Sequence, residues 1–202
     1  MKQRQPNTKR TAKNKRTTNE TSVRISLNLD GTGKSDIQTG IGFFDHMLDQ
    51  LAKHSLIDLK IKAQGDLQID EHHTIEDVAL TLGQALNKGL AKRQGINRYG
   101  FLLPMDETLV EVAIDLAGRP YLVFNAKFKR EYVGDFPTEM MEHFFYSLAY
   151  SLGATIHINL KYGKNEHHKI EAIFKCFARA LRMAIAKDPQ LNNSIPSTKG
   201  IL

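Results

Sequence analysis

Apolar residues recur with helical period in two stretches, residues 75–90 and 170–185, and each stretch opens on the same polar element. The first follows His72-His73-x-x-Glu76 and the second follows His167-His168-x-x-Glu171. Residues three and four apart share a helix face, so both stretches predict amphipathic helices with the His-His pair at the start. Upstream, residues 24–31 (Arg-Ile-Ser-Leu-Asn-Leu-Asp-Gly) and 111–118 (Glu-Val-Ala-Ile-Asp-Leu-Ala-Gly) alternate apolar with polar or small residues and end in glycine. Each predicts a strand entering a hairpin. Gly31-x-Gly33-Lys34 is too short for a nucleotide loop and predicts the hairpin turn itself. Further strands are expected at residues 56–63 and 154–162, and a further helix begins near each of the lone pairs Asp45-His46 and Glu142-His143.

The order strands, helix, strand, helix thus occurs twice. It predicts an α+β protein of two pseudo-symmetric halves, residues 20–107 and 108–202, packed as one compact domain. Neither half is large enough for generous independent stability, so the two are expected to share a core.

The duplication extends to the chemistry. Six of the eight histidines, His46, His72, His73, His143, His167 and His168, fall into two matching sets, with Glu76 and Glu171 as the paired carboxylates. Imidazole and carboxylate hold divalent transition metals, and a duplicated set of three His and one Glu points to two ions. Adjacent helical residues point about 100° apart. His72 and His73 are therefore expected to serve different ions, as are His167 and His168. Each ion would draw ligands from both halves or from a neighbouring subunit. Lys175 lies one turn past Glu171, where it could meet the far end of an anionic substrate. His54 and His157 have no counterpart in the other half and read as structural or surface residues.

Composition changes this picture little. The formal charge of +6 belongs to the start of the chain: residues 1–19 hold Lys2, Arg4, Lys9, Arg10, Lys13, Lys15 and Arg16 and no acid before Glu20, leaving the rest at −1. This segment lacks apolar periodicity and is expected to be a disordered basic tail. It has no apolar run of secretory type and fits a transit peptide badly. No apolar stretch approaches membrane-spanning length. Cys176 is the only cysteine, so no intrachain disulfide and no thiolate metal site is expected; a cytoplasmic location is the default. Arg98, Arg119, Ser197 and Lys199 sit beside glycines or in loops, where they would bind phosphate if the fold brought them together.

The motifs 29–33 (Leu-Asp-Gly-Thr-Gly), 39–48 (Thr-Gly-Ile-Gly-Phe-Phe-Asp-His-Met-Leu), Gly65-Asp66-Leu67, both His-His-x-x-Glu elements, Gly118-Arg119-Pro120-Tyr121 and the terminal Ser197-x-Lys199-Gly200 occur in order. With them the chain, from about Glu20 onward, closely resembles imidazoleglycerol-phosphate dehydratase. The resemblance implies a lyase of histidine biosynthesis that converts imidazoleglycerol phosphate to imidazole acetol phosphate, through a dimetal-bound imidazolate and a diazafulvene-like intermediate. It implies two four-stranded sheets with the helices sandwiched between them. It implies two Mn²⁺ ions per active site, held by His46, His72, His73, Glu76, His143, His167, His168 and Glu171. It implies a phosphate-binding set of Arg98, Arg119, Lys175, Ser197 and Lys199, and a substrate-facing Glu20 that moves protons. It also implies a 24-subunit homo-oligomer with active sites at subunit boundaries, and no membrane partner.

Two other readings stand beside this one. A two-metal hydrolase would need a spare bridging carboxylate, which the duplicated element does not supply. A metal-stabilised RNA-binding module using the basic tail would show strongly salt-dependent binding, but no aromatics punctuate that segment for base stacking, and a nucleic-acid partner is not expected.

Overall fold

The structure, a computed structural model, describes residues 10–100, 103–191 and 194–202. In the first half, β1 (Thr11–Thr17), β2 (Thr21–Asn28), β3 (Ser35–Gln38) and β4 (Asp58–Gly65) form a sheet in the spatial order β1-β2-β4-β3. Helix α1 (Gly42–Ser55) connects β3 to β4, and α2 (His72–Leu90) follows β4. In the second half, β5 (Tyr99–Gly100) and β6 (Leu103–Met105) pair along one edge of β7 (Thr108–Asp115). The short strand β8 (Tyr121–Asn125) and a ribbon of β9 (Tyr132–Val133) and β10 (Phe136–Pro137) lead into α3 (Met140–Leu152). The chain then makes β11 (Thr155–Tyr162), which lies between β7 and β8, and ends its regular structure with α4 (Glu166–Ile185).

The halves match in pairing as well as order. The central pairs β2–β4 and β7–β11 are antiparallel, and the outer pairs β3–β4 and β8–β11 are parallel. Each sheet turns one face inward: Val23, Ile25, Leu27, Leu59 and Ile61 from the first, Val110, Val112, Ile114, Ile156 and Ile158 from the second, all buried. Between the sheets α2 lies on β1 and β2, α4 lies on β7, α1 packs on α4 and α2 packs on α3. The helices are sandwiched, as the family resemblance implied, but the second sheet has five strands rather than four, because β5 and β6 share one edge of β7. Phe44, Phe144, Phe145, Phe174 and Phe177 meet at the centre with ring centroids 5.1–5.5 Å apart. Each fully buried side chain of this size contributes about 1.5–3 kcal/mol. Cys176 is buried in the same core.

Three further expectations change. The basic segment is not a disordered tail over the residues described: Thr11–Thr17 form an edge strand in full antiparallel register with β2. Its inward side is held by polar groups. Asn14 donates to Gln84 Oε1 (2.7 Å), Arg16 pairs with the buried Asp77, and Arg10 pairs with Asp30 and donates to the carbonyl of Ile185. Residues 1–9, with Lys2, Arg4 and Lys9, lie outside the described residues. The boundary between halves also moves, because β5 and β6 pair with β7 and so belong to the second half, before the expected start at residue 108. Finally, residues 31–34 do not close a hairpin. The turn joins β2 to β3 with β4 seated between them, and Asp58, the first residue of β4, accepts from the backbone N–H of Thr32 (2.8 Å) and Lys34 (3.1 Å). A Cβ at Gly31 would lie 2.5 Å from Asp58, so this approach needs glycine.

A second glycine sets a distance between layers. A Cβ on Gly100 would stand 2.2 Å from the carbonyl oxygen of Ala180, a backbone atom of α4 that cannot rotate away. Gly100→Ala is expected to lower stability by about 1–3 kcal/mol through forced separation of strand and helix, read as a fall in the urea midpoint at unchanged slope. Among the described residues no helix is long and apolar enough to cross a membrane.

Candidate metal centre

Both His-His pairs occupy the first turn of a helix because a side chain upstream receives the free N–H groups there. Asp70 Oδ1 accepts from His72 N (2.9 Å) before α2, and Asn165 Oδ1 accepts from His167 N (2.9 Å) before α4. Glu76 and Glu171 follow one turn later on the face of His72 and His167. The lone histidines enter from α1 and α3.

The side chains gather into two groups, each built across the halves. His46 of α1 meets His167 and Glu171 of α4; His143 of α3 meets His72 and Glu76 of α2. In each group, one donor atom from every member lies within 4.8 Å of the others. His167 Nε2 is 3.1 Å from Glu171 Oε2, and the ring of Phe43 stands edge-on to His167 at 5.2 Å. The His72 and His143 rings are 4.5 Å apart. His143 Nε2 lies 3.2 Å from Glu76 Oε1 but is not aligned for a hydrogen bond, and this buried nitrogen has no hydrogen-bond partner. An orphaned buried imidazole nitrogen among a second imidazole and a carboxylate fits a divalent cation, since coordination would satisfy the lone pair that no donor reaches. Each group offers two nitrogens and one oxygen, a borderline set suited to Mn, Fe, Zn or their neighbours.

His73 and His168 join neither group. Each is held by a carboxylate at Nδ1: His73 by Asp66 (3.0 Å to Oδ2), His168 by Glu107 (2.9 Å to Oε2). Asp66 entered the sequence reading only within the Gly65-Asp66-Leu67 motif, and neither it nor Glu107 emerged there as a site residue. Glu20 lies in the His73 cluster, with Oε2 3.8 Å from His73 Nε2 and its side chain half exposed. The Asp66 hydrogen bond raises the pKa of His73, and the Glu107 hydrogen bond raises that of His168. Glu107 is lowered to about 2 by the backbone N–H of Asn165 first and by His168 next. Burial pushes Glu171 upward, but the hydrogen bond and charge of Lys175, 2.6 Å away, leave it below the usual carboxylate range.

These shifts fix signs. A histidine with a raised folded-state pKa stabilises the fold below its unfolded value of 6.5, and that contribution disappears as pH rises through the raised value. A cation held by these rings would need them neutral. With added metal, the thermal midpoint is expected to gain more as pH climbs above 6.5, while the metal-free midpoint gains nothing from these two groups. Scans with and without Mn²⁺ across that range check both signs.

A second cluster forms at the other end of the second sheet, where Arg98, Arg119, Ser197 and Lys199 line one pocket with Pro196 and Thr198. Arg98 makes paired bonds to Asp115, donates to the carbonyl of Pro196 (3.0 Å) and stacks over Tyr99 at 4.9 Å. Arg119 is two-thirds exposed. The expected fifth member, Lys175, is elsewhere: its ammonium is bound to Glu171 beside the histidines. His54 bonds Gln50 within α1, and His157 is exposed on the second sheet, so neither enters a donor group.

Known proteins give the same outline. The family model for imidazoleglycerol-phosphate dehydratase matches residues 39–181. The chain is similar to an imidazoleglycerol-phosphate dehydratase of Rhodopseudomonas palustris, at 55% identity over 194 residues that cover 96% of this chain and 98% of the relative. It is similar to a histidine biosynthesis bifunctional protein of Spirosoma linguale, at 59% identity over 194 residues, 96% of this chain and 50% of the relative. The chain thus spans about half the length of that bifunctional relative. Crystal structures of imidazoleglycerol-phosphate dehydratase from Staphylococcus aureus (TM-score 0.80, 42% identity, 88% of this chain and 99% of that one) and Pyrococcus furiosus (TM-score 0.79, 34% identity, 93% and 99%) share its fold.

Proposed function

The chain belongs to the imidazoleglycerol-phosphate dehydratase family, a lyase family of histidine biosynthesis, and from that premise we propose that it dehydrates imidazoleglycerol phosphate to imidazole acetol phosphate. The observation that carries this reading is the twinned donor set: two groups of two imidazoles and one carboxylate, each assembled from both halves of the fold. The substrate's reacting carbon lies next to no carbonyl, so its proton is not acidic unless the attached imidazole ring can take up electron density. A pair of bound Mn²⁺ ions would supply the positive charge that stabilises the ring after it loses its N–H proton.

The chain's own residues do the rest. His46, His167 and Glu171 would hold one ion, and His72, His143 and Glu76 the other. Three protein donors would leave each ion short of a full set. His73 and His168, held apart from their own chain's groups by Asp66 and Glu107, are suited to complete the sets of neighbouring copies. That arrangement would place active sites at subunit boundaries and favours assembly of several copies, for which the resemblance implies 24 subunits. Because this pocket lies at the far end of the second sheet from the chain's own donor groups, Arg98, Arg119, Ser197 and Lys199 of a neighbouring copy would hold the substrate's phosphate. Anchoring at that end keeps the reacting carbons in register, which is where much of the catalytic advantage of binding resides. Lys175 reads as the partner of Glu171, keeping it ionised for coordination, with its proposed contact to substrate made from there. Glu20, exposed beside His73 and with no hydrogen bond from its carboxylate among the described residues, is suited to give a proton to the departing hydroxyl and take one from the neighbouring carbon.

The test is a metal analysis of the purified protein paired with a dehydration assay on imidazoleglycerol phosphate. The reading requires two divalent ions per chain, loss of activity on chelation and recovery with Mn²⁺. Full activity in a chelated, metal-free protein would reject it.

A further inference from the structure

Each central strand is entered through a glutamate. Glu20 immediately precedes β2, and Glu107 immediately precedes β7. The same offset of 87 residues that relates Arg24 to Glu111 and Gly31 to Gly118 relates the two glutamates, so they are pseudo-two-fold mates. Their surroundings have diverged. In the first half, the Nδ1 of His73 is taken by Asp66, the residue just after β4, and Glu20 faces the ring's other side at 3.8 Å from Nε2. In the second half, the residue just after β11 is Gly163. A Cβ there would lie 2.7 Å from Thr108 Oγ1 and 3.0 Å from Lys169 Cγ, so no aspartate fits. Glu107 takes over: it accepts from His168 Nδ1 (2.9 Å) and also from the backbone N–H of Asn165 (2.9 Å) and Lys164 (3.3 Å) at the start of α4.

An ionised carboxylate only accepts, so the nitrogen facing it must carry the hydrogen, and in a neutral ring the other nitrogen is then a bare lone pair. We propose that Asp66 and Glu107 are positioning residues that hold His73 and His168 as Nδ1–H tautomers, each with Nε2 free to ligate, and that of the two duplicated glutamates Glu107 is committed to this task while Glu20 is left available to substrate. The proposal rests on the dehydratase reading in one respect, that His73 and His168 meet metal. It goes beyond that reading in assigning what aims them. It also gives a physical reason why two residues of the same origin differ in role: the missing side chain at position 163 draws Glu107 into the structure of α4, whereas Asp66 relieves Glu20 of the same duty.

The experiment uses metal-stripped full-length protein, Asp66→Ala, Glu107→Gln and Glu107→Ala. Histidine ring ¹⁵N spectra report the tautomers, and calorimetric titration with Mn²⁺ reports affinity. Wild type should show two rings of Nδ1–H type that are lost or averaged in Glu107→Ala for one and Asp66→Ala for the other. Mn²⁺ affinity should fall about 10–100-fold for each change, with Glu107→Gln, which keeps an acceptor and the shape of the side chain, retaining more affinity than Glu107→Ala. A purely structural role would lower the thermal midpoint without this ordering or the spectral change. Unaltered ring spectra with wild-type affinity in Glu107→Ala and Asp66→Ala would overturn the proposal. A wild-type chain that binds no Mn²⁺ while keeping dehydratase activity would instead overturn the metal reading beneath it.

Discussion

Glu20→Gln is expected to retain metal content and substrate affinity and to lose turnover by about 10²–10⁴-fold, the usual contribution of a positioned acid–base group. The change keeps the side chain's shape. It removes only the ability to exchange a proton, from a residue whose carboxylate receives no hydrogen bond among the described residues and whose nearest cation-competent neighbour is His73. Loss should therefore appear in kcat with little change in KM, the pattern of an interaction made in the transition state. Glu107→Gln, at the pseudo-symmetric position, should show the opposite balance, with weakened metal binding as the primary defect. Near-normal turnover in Glu20→Gln would reject Glu20 as the proton carrier and leave a solvent molecule within the site as the candidate.

The second large effect is expected from His143→Ala. This histidine is the only α3 member of its donor group, and its Nε2 is buried beside Glu76 without a hydrogen bond. Its removal leaves His72 and Glu76 as a two-donor fragment on α2. The variant should keep one metal equivalent per chain, at the His46 group, and lose the other, with affinity at the broken site reduced by more than the about 10–100-fold typical of an outer partner. Dehydration should fall to near background, because a ring gripped from one side alone loses half of the charge that stabilises its deprotonated form. Elemental analysis after gel filtration, beside the activity assay, separates this from misfolding: a folded chain with one ion and no turnover is the expected pair. The fold should tolerate the change, since the apolar core contacts of α3 run through Phe144, Phe145 and Leu148 rather than through the ring of His143.

The elements most legible in the sequence were those with one apolar face. The periodic runs that begin at Ile75 and Ile170 became the buried faces of α2 and α4, and the alternating residues around Ile25 and Val112 became β2 and β7. β1 was illegible for a definite reason. Of its inward positions Ala12, Asn14 and Arg16, only the small Ala12 is apolar, and Asn14 and Arg16 meet Gln84 and Asp77 on α2 through hydrogen bonds and charge, so most of the alternation that marks a half-buried strand is written in polar residues. Hydropathy cannot register a face that is satisfied by polar pairing. The turn at Gly31 was misread because a glycine between two alternating runs looks the same whether the strands pair directly or admit a third between them. Only the carboxylate of Asp58, far along the chain, distinguishes the cases.

The donor groups were legible to the level of residue type and helix face. Helical spacing let either histidine of each pair share a face with its glutamate; the structure selects His72 with Glu76 and His167 with Glu171, and the lone histidines His46 and His143 complete the groups. The partition came from the packing of α1 on α4 and α2 on α3, which spacing alone does not specify. Asp66 and Glu107 were missed because a single acid carries no periodicity. For Glu107 a signal existed: the offset that aligns the two strands also lands on Glu20. Arg98, Arg119, Ser197 and Lys199 were scattered in sequence and converge only through the turn before β5, the turn after β7 and the end of the chain. Lys175 was placed correctly on the face of Glu171, yet its ammonium is spent on that carboxylate rather than on the arginine pocket.

Crystals grown with Mn²⁺ and measured at the manganese absorption edge test the central claim most directly. Two anomalous peaks per chain are expected, one among His46, His167 and Glu171 and one among His72, His143 and Glu76, each within coordination distance of all three side chains. A chain that shows no peak at either position, or a single ion outside both groups, would contradict the account.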